Sequence, residues 1–243
     1  MEKSVIGFCG YPDPIVINEL KNKYKNAKWV DLDVELAFVS DYKVLPQVYC
    51  KIIKNIVNNA IYYKENLITI VMAIGREKCD SAALASVILK NMGFNVIETK
   101  YEDVEVEKKE PIISTSNWPL IEKIQLITKE IIEPIDKTKL KPVKPRFGFW
   151  GVPPNDLSIL NLFPDDTHVY GWTRCVEMGI PSDYETEIMV DKDVPTVFYA
   201  QAFCAKASLA KYLSFKYNGL YVDIDDVATN SIVAKIEAFI NLR

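Results

Sequence analysis

This chain repeats itself, and that constrains its fold more than any other feature. Gly7-Phe8-Cys9-Gly10-Tyr11-Pro12-Asp13-Pro14 and Gly148-Phe149-Trp150-Gly151-Val152-Pro153-Pro154-Asn155 agree at Gly, Phe, Gly and Pro without a gap. Each block follows a short strand-like stretch and precedes a helical pattern. A second pair, Cys79-Asp80-Ser81-Ala82-Ala83-Leu84-Ala85 and Cys204-Ala205-Lys206-Ala207-Ser208-Leu209-Ala210, agrees at Cys, Ala, Leu and Ala. Both of its members follow an apolar strand and open a helix. Two matches in the same order and the same context point to duplication.

The periodicity predicts strands over 4–9, 28–33, 67–74 and 95–100, with helices over 13–25, 43–63 and 79–92. The second half repeats this, with strands over 146–150, 167–173, 196–201 and 220–224 and helices over 155–162, 204–217 and 228–241. Strands alternating with helices predict an α/β fold of two related βαβ-type halves with a mostly parallel sheet and a pseudo-twofold internal repeat. The halves span 1–101 and 146–243. Between them, 102–145 reads as a charged, solvated loop (Glu102 to Glu110), a connecting helix and a linker. The helix runs from Leu120 to Ile132, with Pro119 in its first turn where a missing N–H does no harm. The Lys/Pro stretch from Lys137 to Pro145 is the extended linker.

A chain of 243 residues is long enough for one large domain or two small ones, and either can bury a full core. Its net charge of -4 is mild and interspersed, which argues against a nucleic-acid footprint. The longest apolar run, Leu67 to Ile74, falls well short of the ~20 residues that span a bilayer. The N-terminal stretch is too short and too broken by glycine to be a signal-peptide core. The expectation is a cytoplasmic protein, free of membrane, in a reducing compartment. Cys9, Cys50, Cys79, Cys175 and Cys204 are then free thiols or metal ligands, not disulfides. A single histidine, His168, leaves little room for Cys/His catalytic pairs or His-based zinc sites.

Cys9 is the most suggestive residue. It ends the first strand just before Gly10-Tyr11-Pro12-Asp13-Pro14, where Asp13 suits an N-cap and Pro14 the first helical position. Ligands of open α/β sheets bind at the carboxyl ends of strands. A thiol beside a helix start can be acidified toward the reactive thiolate, and Gly10 lets a ligand approach the backbone. The plainer alternative is a small buried hydrophobe closing a strand. The second half carries Trp150 at the equivalent place, so thiol chemistry there belongs to one half only.

Gly75-Arg76-Glu77-Lys78-Cys79-Asp80-Ser81 offers helix-start amides and two cations, an arrangement able to hold a phosphate or carboxylate. Neither a P-loop nor a Gly-x-Gly-x-x-Gly is present, so a helix start with solvated charges is the competing reading. Cys9, Cys79 and Cys204, with Cys175 as a fourth ligand, are candidates for an iron–sulfur cluster, although no Cys-x-x-Cys spacing occurs. Cys50 lies in a periodic stretch and reads as core. Asp31, Asp33 and Glu35 after the second strand, and Asp223, Asp225 and Asp226 after a late one, suit ribose hydroxyls or Mg²⁺, or simply loop solvation and caps. Tyr170 and Trp172 alternate with Val169 and Gly171 along one predicted strand, able to stack a heteroaromatic ring, although sheet packing is the default.

The opening Val5-Ile6-Gly7-Phe8-Cys9-Gly10-Tyr11-Pro12 resembles the start of the HcgF family of iron-guanylylpyridinol cofactor biosynthesis for the [Fe]-hydrogenase of methanogenic archaea. The resemblance covers this short stretch and its cysteine. It implies a protein that binds guanylylpyridinol, as substrate or precursor and without a tightly bound cofactor of its own. It also implies that Cys9 forms a thioester with the pyridinol carboxylate after a partner enzyme has adenylylated it. Displacement of AMP by a thiolate needs a thiol and donors for the developing oxyanion, not a histidine. Strand-end geometry nominates the amides of Gly10 and Tyr11 as those donors. It also nominates the helix start around Arg76, Cys79, Asp80 and Ser81 for the guanylyl phosphate, with Cys204 as the counterpart in the second half. Two other readings remain open, a non-catalytic nucleotide or cofactor carrier and a thiolate-ligated iron–sulfur protein. A homodimer is compatible with each of them.

Overall fold

The computed structural model of the chain describes residues 4–36, 44–76, 78–102 and 106–243. It divides into two compact units, Met1–Glu102 and Asp103–Arg243.

In the first unit, β1 (Val5–Cys9) is buried along its whole length, and β3 (Leu67–Ala73) nearly so. Both read as continuous apolar runs because central parallel strands are covered on two faces. With β2 (Lys28–Asp31) and β4 (Val96–Thr99) they form a parallel sheet in the order β2-β1-β3-β4. The helices are α1 (Pro14–Lys23), α2 (Lys51–Tyr62) and α3 (Asp80–Asn91). Asp13 caps α1 by accepting the Ile15 N–H at 2.8 Å, with Pro14 in the first helical position. Crossovers of one hand place α1 on one face and α2 and α3 on the other. The core bears this out, since Val5, Cys9 and Leu32 pack with Ile53 and Val57 of α2 and Ala82, Ala85 and Leu89 of α3.

The second unit repeats the permutation. β5 (Phe147–Trp150), β6 (Thr167–Tyr170), β7 (Thr196–Gln201) and β8 (Leu220–Ile224) form a parallel sheet in the order β6-β5-β7-β8. The chain is therefore α/β, with two βα-type halves of the same strand order. The helices here are α4 (Leu120–Glu130), α5 (Trp172–Glu177), α6 (Tyr184–Ile188), α7 (Lys206–Lys216) and α8 (Asn230–Asn241).

The connecting stretch belongs to this unit. Leu120, Ile124 and Ile127 of α4 are buried, and α4 packs against α5 and β6. Its Lys123 is buried too, donating to the carbonyls of Asp165 and Thr167 at 2.7 Å each. Burial lowers the Lys123 pKa to about 8. Lys137 pairs with Glu130 at 2.8 Å, and the Val143 N–H reaches the Thr115 carbonyl at 2.9 Å, so the largely exposed stretch over 137–145 is anchored at both ends to this unit. Within the loop read as solvated, 103–105 lie outside the described residues, and Lys108 pairs with Asp183 at 2.6 Å.

Several boundaries differ from the sequence expectation for local reasons. α2 begins at Lys51, since Pro46 stands where the longer helix would pass (residue 43 lies outside the described residues). Pro119 is the residue before α4 and not part of its first turn. Gly171, at φ +73°, ends β6, so Trp172 opens α5 instead of continuing a strand. The helix expected over 155–162 is a 3₁₀ turn at Leu157–Leu162, capped by Asp156. Neither α5 nor α6 was visible as a period. Among the described residues, no helix is long and apolar enough to cross a membrane.

Candidate functional site

In a sheet ordered β2-β1-β3-β4 the direction of strand addition reverses between β1 and β3, and a crevice opens there at the carboxyl ends. Cys9 ends β1 and is followed by Gly10 and Tyr11. β3 ends at Ala73 and runs through Ile74, Gly75 and Arg76 to the start of α3. The two segments lie close, since a Cβ on Gly10 would sit 3.3 Å from that of Ala73. Gly10 also adopts φ +66°, a conformation glycine takes without strain. Cys9, Gly10, Tyr11, Arg76, Cys79, Asp80 and Ser81 thus share one end of one sheet. Cys204 does not join them, for it follows β7 in the second unit.

Arg76, Cys79 and Asp80 are exposed and Ser81 is half-buried, and the Cys79 side chain does not cap α3. Tyr11 faces Tyr101 with ring centroids 5.6 Å apart. A cavity lined by Lys64, Leu67, Gly93, Phe94 and Asn95 lies at the opposite, amino-terminal end of β3 and β4.

Cys9 is 3 % exposed, and its side chain enters the core shared with α2 and α3 instead of turning toward the start of α1. Burial pushes its thiol well above the usual range, and Asp33 and Asp31 push it further in the same direction. The expected acidification by a helix start is absent for those reasons.

The carboxylates near it were legible only as strand-end acids. Asp33 accepts the Gly10 N–H at 2.7 Å, so one nominated oxyanion donor is already engaged. Asp33 in turn donates its own N–H to Asp31 at 2.9 Å. Burial raises the Asp33 carboxyl well above the carboxylate range and Asp31 adds to this, while the Gly10 bond opposes it. Burial also lifts Asp31 to about 6. Glu35, by contrast, is exposed and pairs with Lys51 at 3.4 Å.

Two asparagines hold this loop, and neither was singled out in the sequence. Asn55 donates to the Asp33 carbonyl at 2.9 Å, and Asn59 donates to those of Leu32 at 3.0 Å and Val34 at 2.7 Å. Both are buried on α2 among Ile53, Ile56, Val57 and Ala60. An i, i+4 asparagine pair interrupting an apolar helix face is the signal that finds them, because buried amides need partners.

In the second unit the equivalent crevice, between β5 and β7, is filled. Trp150 is buried and donates its indole N–H to the Glu187 carbonyl at 2.8 Å, beneath α6. Glu187 pairs with Lys206 at the head of α7. A Cβ on Gly151 would lie 2.6 Å from the Tyr199 carbonyl oxygen, so backbone packs on backbone there. Asp225 and Asp226 serve local contacts, their carbonyls accepting from Gln201 and Asn155 respectively. His168 Nε2 lies 2.8 Å from the Val143 carbonyl.

Cys9 and Cys79 belong to one unit and Cys175 and Cys204 to the other. Cys175 is buried, which pushes its thiol up to about 12. Among the described residues, no group of three or more His, Cys, Asp or Glu is arranged to hold a metal ion.

No family model and no curated protein matches the chain. Among solved structures, MenH from S. aureus aligns over 100 % of this chain and 92 % of its own, at 14 % identity and a TM-score of 0.22. That score is too low to indicate a shared architecture.

Proposed function

We propose that this chain, in the cytoplasm, captures guanylylpyridinol as a thioester on Cys9 after a partner enzyme has activated the pyridinol carboxylate as an acyl-adenylate. One observation carries this reading. Cys9 is a thiol at the carboxyl end of a central strand, beside the reversal of strand order, with a carboxylate on the very next amide. The resemblance of the Val5–Pro12 stretch to the HcgF family supplies the substrate. In the reaction the sulfur attacks the acyl carbon, the carbon–sulfur bond forms, and the bond to the adenylyl oxygen breaks to release AMP.

The burial of Cys9 and its upward-shifted pKa favour a second reading, a carrier that holds the ligand without a bond. Intact-protein mass spectrometry separates the two. The protein is incubated with guanylylpyridinol, ATP and the adenylylating enzyme, alongside Cys9→Ser. A hydroxylamine-labile adduct of ligand mass minus water, found in the parent alone, is the expected result. Ligand binding in both proteins with no adduct in either would leave the carrier.

A further inference from the structure

We infer that Asp33 is the base that takes the proton of the Cys9 thiol, and that the same transfer frees the Gly10 amide to hold the oxyanion. The inference rests on the reading of Cys9 as an acyl acceptor. Its basis is placement. The Cys9 side chain points to the α2 and α3 face of the sheet. The loop after β2 is drawn to that same face, because Asn55 and Asn59 of α2 hold the carbonyls of Leu32, Asp33 and Val34. The Asp33 carboxylate is thereby fixed on the amide that follows Cys9, at 2.7 Å. A thiol, a carboxylate and a backbone donor lie at one strand end, the carboxylate on the donor and close enough to raise the thiol, with no histidine among them.

Asp31 acts on the same thiol from the end of β2, and on the helical side Cys50, at the head of α2, is influenced by Asp33 and by Cys79 at the head of α3, with the Lys51–Glu35 pair beside it. Burial raises both carboxyls, and Asp31 raises Asp33 further, so Asp33 is a stronger base than a solvated aspartate.

The step balances without any further reactant. The S–H proton passes to an Asp33 oxygen, the sulfur electron pair forms the C–S bond, and the acyl carbonyl becomes an oxyanion. Collapse of that oxyanion expels AMP with the electron pair of the broken C–O bond, and the proton on Asp33 leaves to solvent. A protonated carboxyl is a weaker acceptor than a carboxylate, so the Gly10 N–H is released as the oxyanion forms.

Asp33→Asn is the decisive variant, because the amide oxygen still accepts the Gly10 N–H while the base is gone. It is compared with the parent and Cys9→Ser in two assays. One follows the guanylylpyridinol adduct by intact mass, and the other follows acylation by p-nitrophenyl acetate, which needs the thiolate but not the ligand. We expect Asp33→Asn to slow both by roughly 100-fold, the usual contribution of a general base, with Cys9→Ser inactive in both. Ester acylation of Asp33→Asn at or above the parent rate would overturn the inference, since loss of a nearby negative charge alone makes the thiol more reactive. If the parent forms no ligand adduct while ester acylation still depends on Asp33, the base stands and the guanylylpyridinol reading falls. The pH profile of the parent decides the case in which the variant does not fold. Acylation should rise with ionisation of the carboxyl pair and level off below the range of the thiol, whereas a rise confined to pH above about 9 would exclude Asp33 as base.

Discussion

The ends of β1 and β5 are equivalent places in two copies of one strand order, and they are lined differently. Both strands are central, both lie at the reversal of strand order, and both carry Gly-Phe-x-Gly. At β5 the variable residue is Trp150, whose indole fills the crevice and is hydrogen bonded to Glu187 beneath α6. At β1 it is Cys9, followed by Gly10 in a left-handed turn and faced by Asp33 and Asp31. Both side chains enter the core of their unit, but only at β1 do raised carboxyls lie beside the residue, at a cost to stability. That asymmetry is why the proposed chemistry is placed in the first half.

The comparison predicts an unequal response to truncation. Trp150→Ala should destabilise by about 4 kcal/mol, because a large buried ring is removed and a cavity remains. Cys9→Ala should cost about 1 kcal/mol, the transfer value of one small group. Denaturant midpoints at constant slope measure both, and equal losses would make Cys9 an ordinary core residue. Next in size is Lys206→Met. It should cost about 3 kcal/mol by leaving the buried Glu187 carboxylate unpaired, and Glu187→Gln in the same chain should recover most of that loss. A silent Lys206→Met would mean that the second crevice is not closed by this pair.

A smaller effect should change with pH. The folded pKa of Asp31 is raised from 3.8 to about 6, so the native state binds more protons than the unfolded chain between those values. Its favourable contribution is complete below the unfolded pKa and is lost as pH rises through the folded one. Asp31→Asn should therefore be more stable than the parent at pH 8, by on the order of 2 kcal/mol, with the gap closing below pH 4. Thermal melts across that range test it, and a gap that widens on acidification would reverse the sign of the argument. Asp13→Ala, which removes the α1 cap, should cost about 1 kcal/mol, a loss read in the same melts.

The legible parts of the fold were those with a strong local signal. β7 and β8 fall on the predicted residues 196–201 and 220–224, because apolar runs bounded by turn residues have few alternatives. α5 and α6 were invisible, being too short to show a helical period, and α5 opens only because Gly171 turns the chain. For the candidate site, Cys9 and its glycine could be found from the repeat. Asp33 was one of several strand-end acids, and no local feature distinguished it from Glu35, which is solvated.

By itself, then, the sequence determined the duplication, the alternation of strand and helix, and the one strand end where a cysteine replaces a tryptophan. Periodicity and repeated motifs are local properties, and the chain displays them without being folded. Only the tertiary structure decided that Cys9 turns into the α2 and α3 face, that the β2 loop brings Asp33 onto the Gly10 amide, and that Trp150 closes the second crevice. Those outcomes depend on residues 20 or more positions apart meeting under buried hydrogen bonds from Asn55, Asn59 and Trp150. A buried polar group takes whatever partner the packing offers, and the order of residues along the chain does not name that partner.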